Sequence, residues 1–205
     1  MDSDSGAPEV VARAAWERGD YVAATNAVFS AYGAELYSFL LAQFRGQPAV
    51  ADDVFSAFSE DFWRALPGFQ WRCSIRAWCY KLARSASSRH RRNPHNRGER
   101  RIPLSDAIHL ETLAARTRTS TQAHLRSEVK DKVRELRETL DRDERDLLVL
   151  RVDRGLSWRD VVHAMMDEED APDEKRCQRM EAALRQRFVE IKKRLRRLAE
   201  AAGLI

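Results

Sequence analysis

LDRDERDLLVLRVDRGLSWRDVV, residues 140–162, contains two helix beginnings and one helix end. Asp141 followed three residues later by Glu144 is an approximate capping box, in which each side chain satisfies the other residue's backbone N–H. The helix it opens carries Leu147, Leu148, Leu150 and Val152. Gly155 can close that helix in the left-handed conformation, where a Cβ would be strained. Ser157 is then a good N-cap for a short helix with Trp158, Val161, Val162 and Met165 on its apolar side. Outward toward the C-terminus, the acidic stretch Asp167–Asp170 precedes Pro172, a residue suited to the first turn of a helix. Beyond it Cys177, Met180, Leu184, Phe188, Ile191, Leu195 and Leu198 form a stripe at three- and four-residue steps, which predicts one continuous helix over 173–199.

Toward the N-terminus, Leu125, Val129, Val133, Leu136 and Leu140 keep the same spacing. Before them, Asn93-Pro94, Arg97-Gly98, Ile102-Pro103 and the Thr/Ser run ending at Thr121 mark residues 93–120 as a linker that cannot build a core. The first half is helical again. Residues 1–8 are small and polar and are expected to be disordered, with order from Glu9. Tyr21–Phe44 reads as one long helix or a close pair, with one face buried. Ala49–Leu66 is a further amphipathic helix, stopped by Pro67-Gly68. A last helix carries Ile75, Trp78, Cys79, Leu82 and Ala86 and ends in SSRHRR, residues 87–92. The expected fold class is all-α: two small helical domains, 9–92 and 121–205, joined by an extended linker.

Composition narrows the function. Charged residues are 33% of the 205 and apolar ones 43%, a balance of solvent-washed helices rather than of a membrane protein. No apolar run approaches the roughly 20 residues of a membrane span, and the start MDSDSGAPE lacks a cationic signal-peptide region, so a cytoplasmic protein without membrane insertion is expected. The net charge is only +4, but the basic residues are bunched, which points to a polyanionic partner. Cys73, Cys79 and Cys177 are odd in number and sit in helical patterns, as suits reduced packing residues. The five histidines and three cysteines have no ligand spacing, and there is no Gly-rich phosphate loop or nucleophile elbow. Neither a metal, a cofactor nor catalysis is expected.

Two constellations carry chemistry. Between Phe69 and Arg101, Phe69, Trp71, Trp78 and Tyr80 are interleaved with Arg72, Arg76, Lys81, Arg84, Arg89 and further arginines. Cations neutralise phosphates with counterion release, and exposed aromatic faces hold unstacked bases, the chemistry of gripping opened DNA. The same residues read equally as aromatic core beside a solvated basic face. The second constellation is the pair of helices 157–166 and 173–199, a helix-turn-helix candidate in which Arg185, Arg187, Lys192, Lys193, Arg194, Arg196 and Arg197 flank the apolar stripe. An amphipathic helix with snorkelling basic side chains is the plainer alternative.

In this order, the pieces resemble a known family. YGAELYSFLLAQFR (32–45), ADDVFSAFSEDFWRAL (51–66) and SIRAWCYKLARSASSRHRR (74–92) look like the sigma-2 domain of the small group IV, extracytoplasmic-function sigma factors of bacterial RNA polymerase. Residues 140–162 and ALRQRFVEIKKRLRRL (183–198) look like their sigma-4 domain. The resemblance implies a sigma-70 family initiation factor that binds core polymerase, recognises -10 and -35 promoter elements and promotes melting. Its implied partners are the beta-prime clamp helices and beta flap of the core enzyme, promoter DNA and an anti-sigma factor. Asp52, Asp53 and Glu60 would face the clamp helices. The loop Phe69, Trp71, Arg72, Ser74 and Arg76 would hold a flipped -10 base, supported by Trp78, Lys81 and Arg84, with Ser85 and Arg89 further along the helix. Arg185, Gln186, Arg187 and Lys192, with Arg159, would meet the -35 element.

The chain also departs from the family. Ser85 and Arg89 stand where Asn and Asp are common, and Ser56-Ala57 where Gln-Glu is common. Eighteen residues separate Met165 from Leu184, far more than a tight helix-turn-helix turn needs. A helix-turn-helix regulator that does not bind core polymerase, and a helical scaffold, are the competing expectations.

Overall fold

The computed structural model describes residues 6–92, 135–166 and 173–203, and the chain divides into two compact units, Met1–Ala123 and His124–Ile205. Every regular element among the described residues is helical. The expected linker, 93–120, lies outside them, as do the residues from Leu125 to Val133 and the acidic stretch Asp167–Asp170.

In the first unit, α1 spans Gly6–Glu17, so helix begins three residues before Glu9 rather than after a disordered 1–8. Pro8 sits in its first turn, where the missing N–H would have no intrahelical partner anyway. The choice between one helix and two over 21–44 resolves to one, α2 (Tyr21–Gln43), opened by Asp20, whose carboxylate accepts from the Ala23 N–H at 2.9 Å. More than one face of α2 is covered. Its buried residues, from Ala24 and Thr25 through Tyr37 and Leu40, occupy about 220° of its circumference at 100° per residue. The reason is topological, since α1, α3 (Pro48–Ala65) and α4 (Ile75–Arg92) all pack on it. Pro48 takes the first position of α3, and a 3-10 turn, Leu66–Gly68, carries the chain away from its end.

The core between α2 and α3 is aromatic. Phe29 stacks on Phe58 at 5.8 Å and meets Phe55 and Phe62 edge-on at 5.9 and 5.5 Å. Phe39 meets the fully buried Tyr80 of α4 at 5.1 Å. Such pairs add about 0.5–1.5 kcal/mol each beyond the area they bury. Burial also raises Tyr32 from 10.0 to about 12 and pushes the fully buried Cys79 thiol well up. All three cysteines are free thiols.

In the second unit, α5 (Arg142–Leu148) begins on a complete capping box: the Glu144 N–H donates to Asp141 Oδ1 at 2.8 Å and the Asp141 N–H to Glu144 Oε2 at 3.1 Å. It continues as a π turn, Val149–Asp153, and Gly155 follows with φ +64°. Ser157 caps α6 (Trp158–Met165) by accepting from the Asp160 N–H at 3.1 Å. The last helix, α7, is continuous from Glu174 to Ala201. Its cap is Asp173, which accepts from the Arg176 N–H at 2.6 Å; Pro172 lies outside the described residues. α7 packs on α5 and α6, burying Leu184 and Ile191 against a core that includes Leu147, Leu150, Val161 and Val162. The remainder of its stripe is only half-buried.

Candidate nucleic-acid interface

Phe69–Ser74 leaves the 3-10 turn and delivers the chain to α4. Phe69 stacks on Trp78 at 4.5 Å and leans on Trp71 at 5.0 Å, while Trp78 reaches Phe62 at 5.2 Å. The result is an aromatic ladder from core to surface, in which Phe69 is buried and Trp71 and Trp78 are half-buried. Trp71 holds φ at +55°, a region that L side chains occupy at a cost of about 1–3 kcal/mol. Its indole N–H is shielded from solvent and meets no acceptor.

Three residues of α1 secure this loop, and sequence periodicity alone assigned none of them a role. Trp16 donates from Nε1 to the Leu66 carbonyl at 2.8 Å and meets Trp71 edge-on at 6.0 Å. The Arg13 guanidinium lies 5.4 Å from the Trp71 ring centre. Glu9 Oε1 accepts from the Ile75 N–H at 3.1 Å, satisfying one of the orphan donors at the head of α4.

Some of the residues expected at the -10 element come together and others do not. Trp78, Lys81, Ser85 and Arg89 share one face of α4 at steps of three, four and four, all partly or fully accessible. Arg89 donates to Ser85 Oγ at 2.9 Å and pairs with Asp61 of α3. Arg72 is exposed in the loop, and Arg84 is half-buried on a neighbouring face. Two of these side chains are engaged within the fold. Arg76 turns to α2, where its fork meets Glu35 at 2.7 and 2.8 Å with both side chains about one-fifth exposed or less. The hydrogen bond to Glu35 also raises the Arg76 pKa further, and the two-pronged contact ties this guanidinium to α2. Ser74 is the N-cap of α4, its Oγ accepting from the Ala77 N–H at 3.1 Å.

On α3, Asp53 is exposed and Glu60 half-buried, seven residues apart and hence on one face. Asp52 is turned inward and accepts from the Tyr37 hydroxyl at 2.8 Å.

In the second unit, the basic residues of α7 divide by direction. Arg187 donates to Asp141 at 2.8 Å and Arg194 pairs with Glu144, so both are drawn onto the α5 cap. Arg185 binds Glu181 at 2.7 and 2.9 Å and lies 5.0 Å from the Trp158 ring centre, which Arg151 also approaches, at 5.2 Å. Lys192 stands 5.0 Å over Phe188. Arg159 and Gln186 are exposed.

Searches against protein-family models, curated proteins and solved structures found no match. The site therefore stands on its own chemistry. Among the described residues, no group of three His, Cys, Asp or Glu could hold a metal ion, and no helix is long and apolar enough to cross a membrane.

Proposed function

We propose that the chain is a sigma-type initiation factor: it binds bacterial core RNA polymerase, recognises -10 and -35 promoter elements and holds the -10 region open. The observation that carries this reading is Trp71. A tryptophan in a left-handed backbone conformation, with a shielded and unsatisfied indole N–H, is unfavourable twice over for stability. Local rules are broken in this way where a site serves a ligand. An extruded base would stack on the accessible part of the indole, which is only half-buried. Behind the loop, the accessible face with Lys81, Ser85 and Arg89 would follow the separated strand. Arg76 supports the loop from within rather than touching DNA.

The acidic face with Asp53 and Glu60 is the part of α3 that would meet the clamp helices, where charge sets orientation and association rate more than affinity. The second unit would place α7 in the -35 major groove, anchored beside it by Arg159. The resemblance in order of the segments supports the same reading, with an anti-sigma factor as the expected regulator and the cytoplasm as its place of action.

The test is a pull-down with core polymerase followed by run-off transcription. Complex formation and promoter opening are expected; a chain that binds duplex DNA but never core enzyme would be the helix-turn-helix regulator instead.

A further inference from the structure

The sequence points to the consecutive triplet Arg185, Gln186, Arg187 as the residues that read DNA, but three consecutive helical residues cannot share a face. At about 100° per residue they fan across some 200° of α7. Arg187 lies only about 60° from the centre of the apolar stripe, on the side of α5, where Asp141 holds it. Arg185 lies about 100° off on the opposite flank, packed over Trp158. Directly opposite the stripe is a different set: Arg179, Ala182, Gln186, Val189 and Lys193, at steps of three and four, all exposed.

This face sets two small apolar side chains and an amide between basic residues. Val189 is 42% exposed between basic residues. Ala182 leaves a shallow hollow beside Lys175, Gln178 and Arg179. Gln186 stands between the two small apolar side chains. An amide flanked by methyl groups complements base edges, since Gln pairs with adenine N6/N7 and apolar groups meet the thymine methyl. Length fixes the extent. From Ala182 to Val189 the helix rises about 10 Å, close to the roughly 12 Å width of the major groove. Arg179 and Lys193 lie beyond, about 21 Å apart, where the helix must pass over the two phosphate backbones. Lys193 is paired with Glu190, both more than 60% exposed, and such a pair exchanges readily for a phosphate.

We propose that α7 reads duplex DNA with Ala182, Gln186 and Val189, while Arg179 and Lys193 grip the flanking phosphates. The added residues ahead of Leu184 then have a purpose: they extend the helix far enough N-terminally to bring Arg179 to the second phosphate backbone. Arg187 is a clamp between helices, not a reader. This inference rests on the initiation-factor reading and specifies how that reading's -35 contact is made.

The test is selection from a randomised duplex library by the full chain bound to core polymerase, with thermal midpoints recorded for each variant. Gln186→Ala is expected to lose about ten- to a hundredfold of discrimination at one base pair, and Val189→Ala to relax preference for thymine nearby, both with unchanged midpoints. Arg179→Ala should weaken binding to all sequences alike. Arg187→Ala should lower the midpoint and leave the selected sequence unchanged. An altered selection with Arg187→Ala, alongside unaltered selections with Gln186→Ala and Val189→Ala, would overturn the assignment. A wild-type complex that forms but selects no duplex sequence would refute it as well, whereas failure to bind core polymerase at all would refute the initiation-factor reading first.

Discussion

At the scale of single residues, the strongest statements concern groups whose environment fixes their role. Arg76 and Glu35 form a two-pronged ion pair, mostly shielded, between α4 and α2. Removing one partner strands the other charge, so Arg76→Ala is expected to cost about 2 kcal/mol, less than a fully buried pair because water still reaches both groups. Urea denaturation checks this; an unchanged midpoint would return Arg76 to the DNA-facing set. Tyr32 supplies a pH prediction. Burial lifts its pKa to about 12 in the folded chain from about 10 in the unfolded one. Between those values the unfolded state holds fewer protons, so this contribution is complete below about pH 10 and is lost as pH rises toward 12. Stability followed by circular dichroism should fall over that window, and Tyr32→Phe should flatten the fall. At Trp71, replacement by alanine should impair promoter melting, read by permanganate reactivity, more than closed-complex binding. Equal losses in the two assays would remove its base-capturing role.

At the scale of elements, part of the local chemistry was readable in advance, although the caps Asp20, Ser74 and Asp173 were not. The Asp141/Glu144 box, the Ser157 cap, Gly155 beyond the π turn and the unbroken α7 stripe all follow from side chains within a few residues of one another. Contacts that depend on distant partners were not readable. Arg76 meets Glu35 across 41 residues, and Trp16 meets the Leu66 carbonyl across 50. Nothing at either position of such a pair states the other's place, so an arginine that looks like a phosphate contact proves to be a strut. The directions of Arg185 and Arg187 were obscured for a similar reason, since they depend on how α5 and α6 cover α7. One prediction belongs to this scale. Asp141→Ala removes the α5 cap and the acceptor of Arg187 together, and is expected to cost about 1–2 kcal/mol, measurable as a lower thermal midpoint. Arg187→Ala alone should cost less, since that pair is exposed on both sides.

At the scale of the whole molecule, two compact units and a balanced net charge hide a strongly uneven distribution of basic groups. If both units contact phosphates, association with promoter DNA must release many counterions. A logarithmic plot of the association constant against salt should therefore be steep, with a slope magnitude near 0.9 per phosphate contacted in the duplex. Measurement by fluorescence anisotropy from low to physiological salt checks this; a shallow slope would favour the scaffold reading.

The α5 capping box has a consequence for descent. Its two carboxylates each hold an arginine, and those arginines are seven residues apart on α7. A lineage that lost Asp141 would leave Arg187 with less reason to persist, and the same holds for Glu144 and Arg194. The four positions should therefore be inherited as a block, while the exposed Ala182, Gln186 and Val189 would be at liberty to diverge with any DNA sequence they contact.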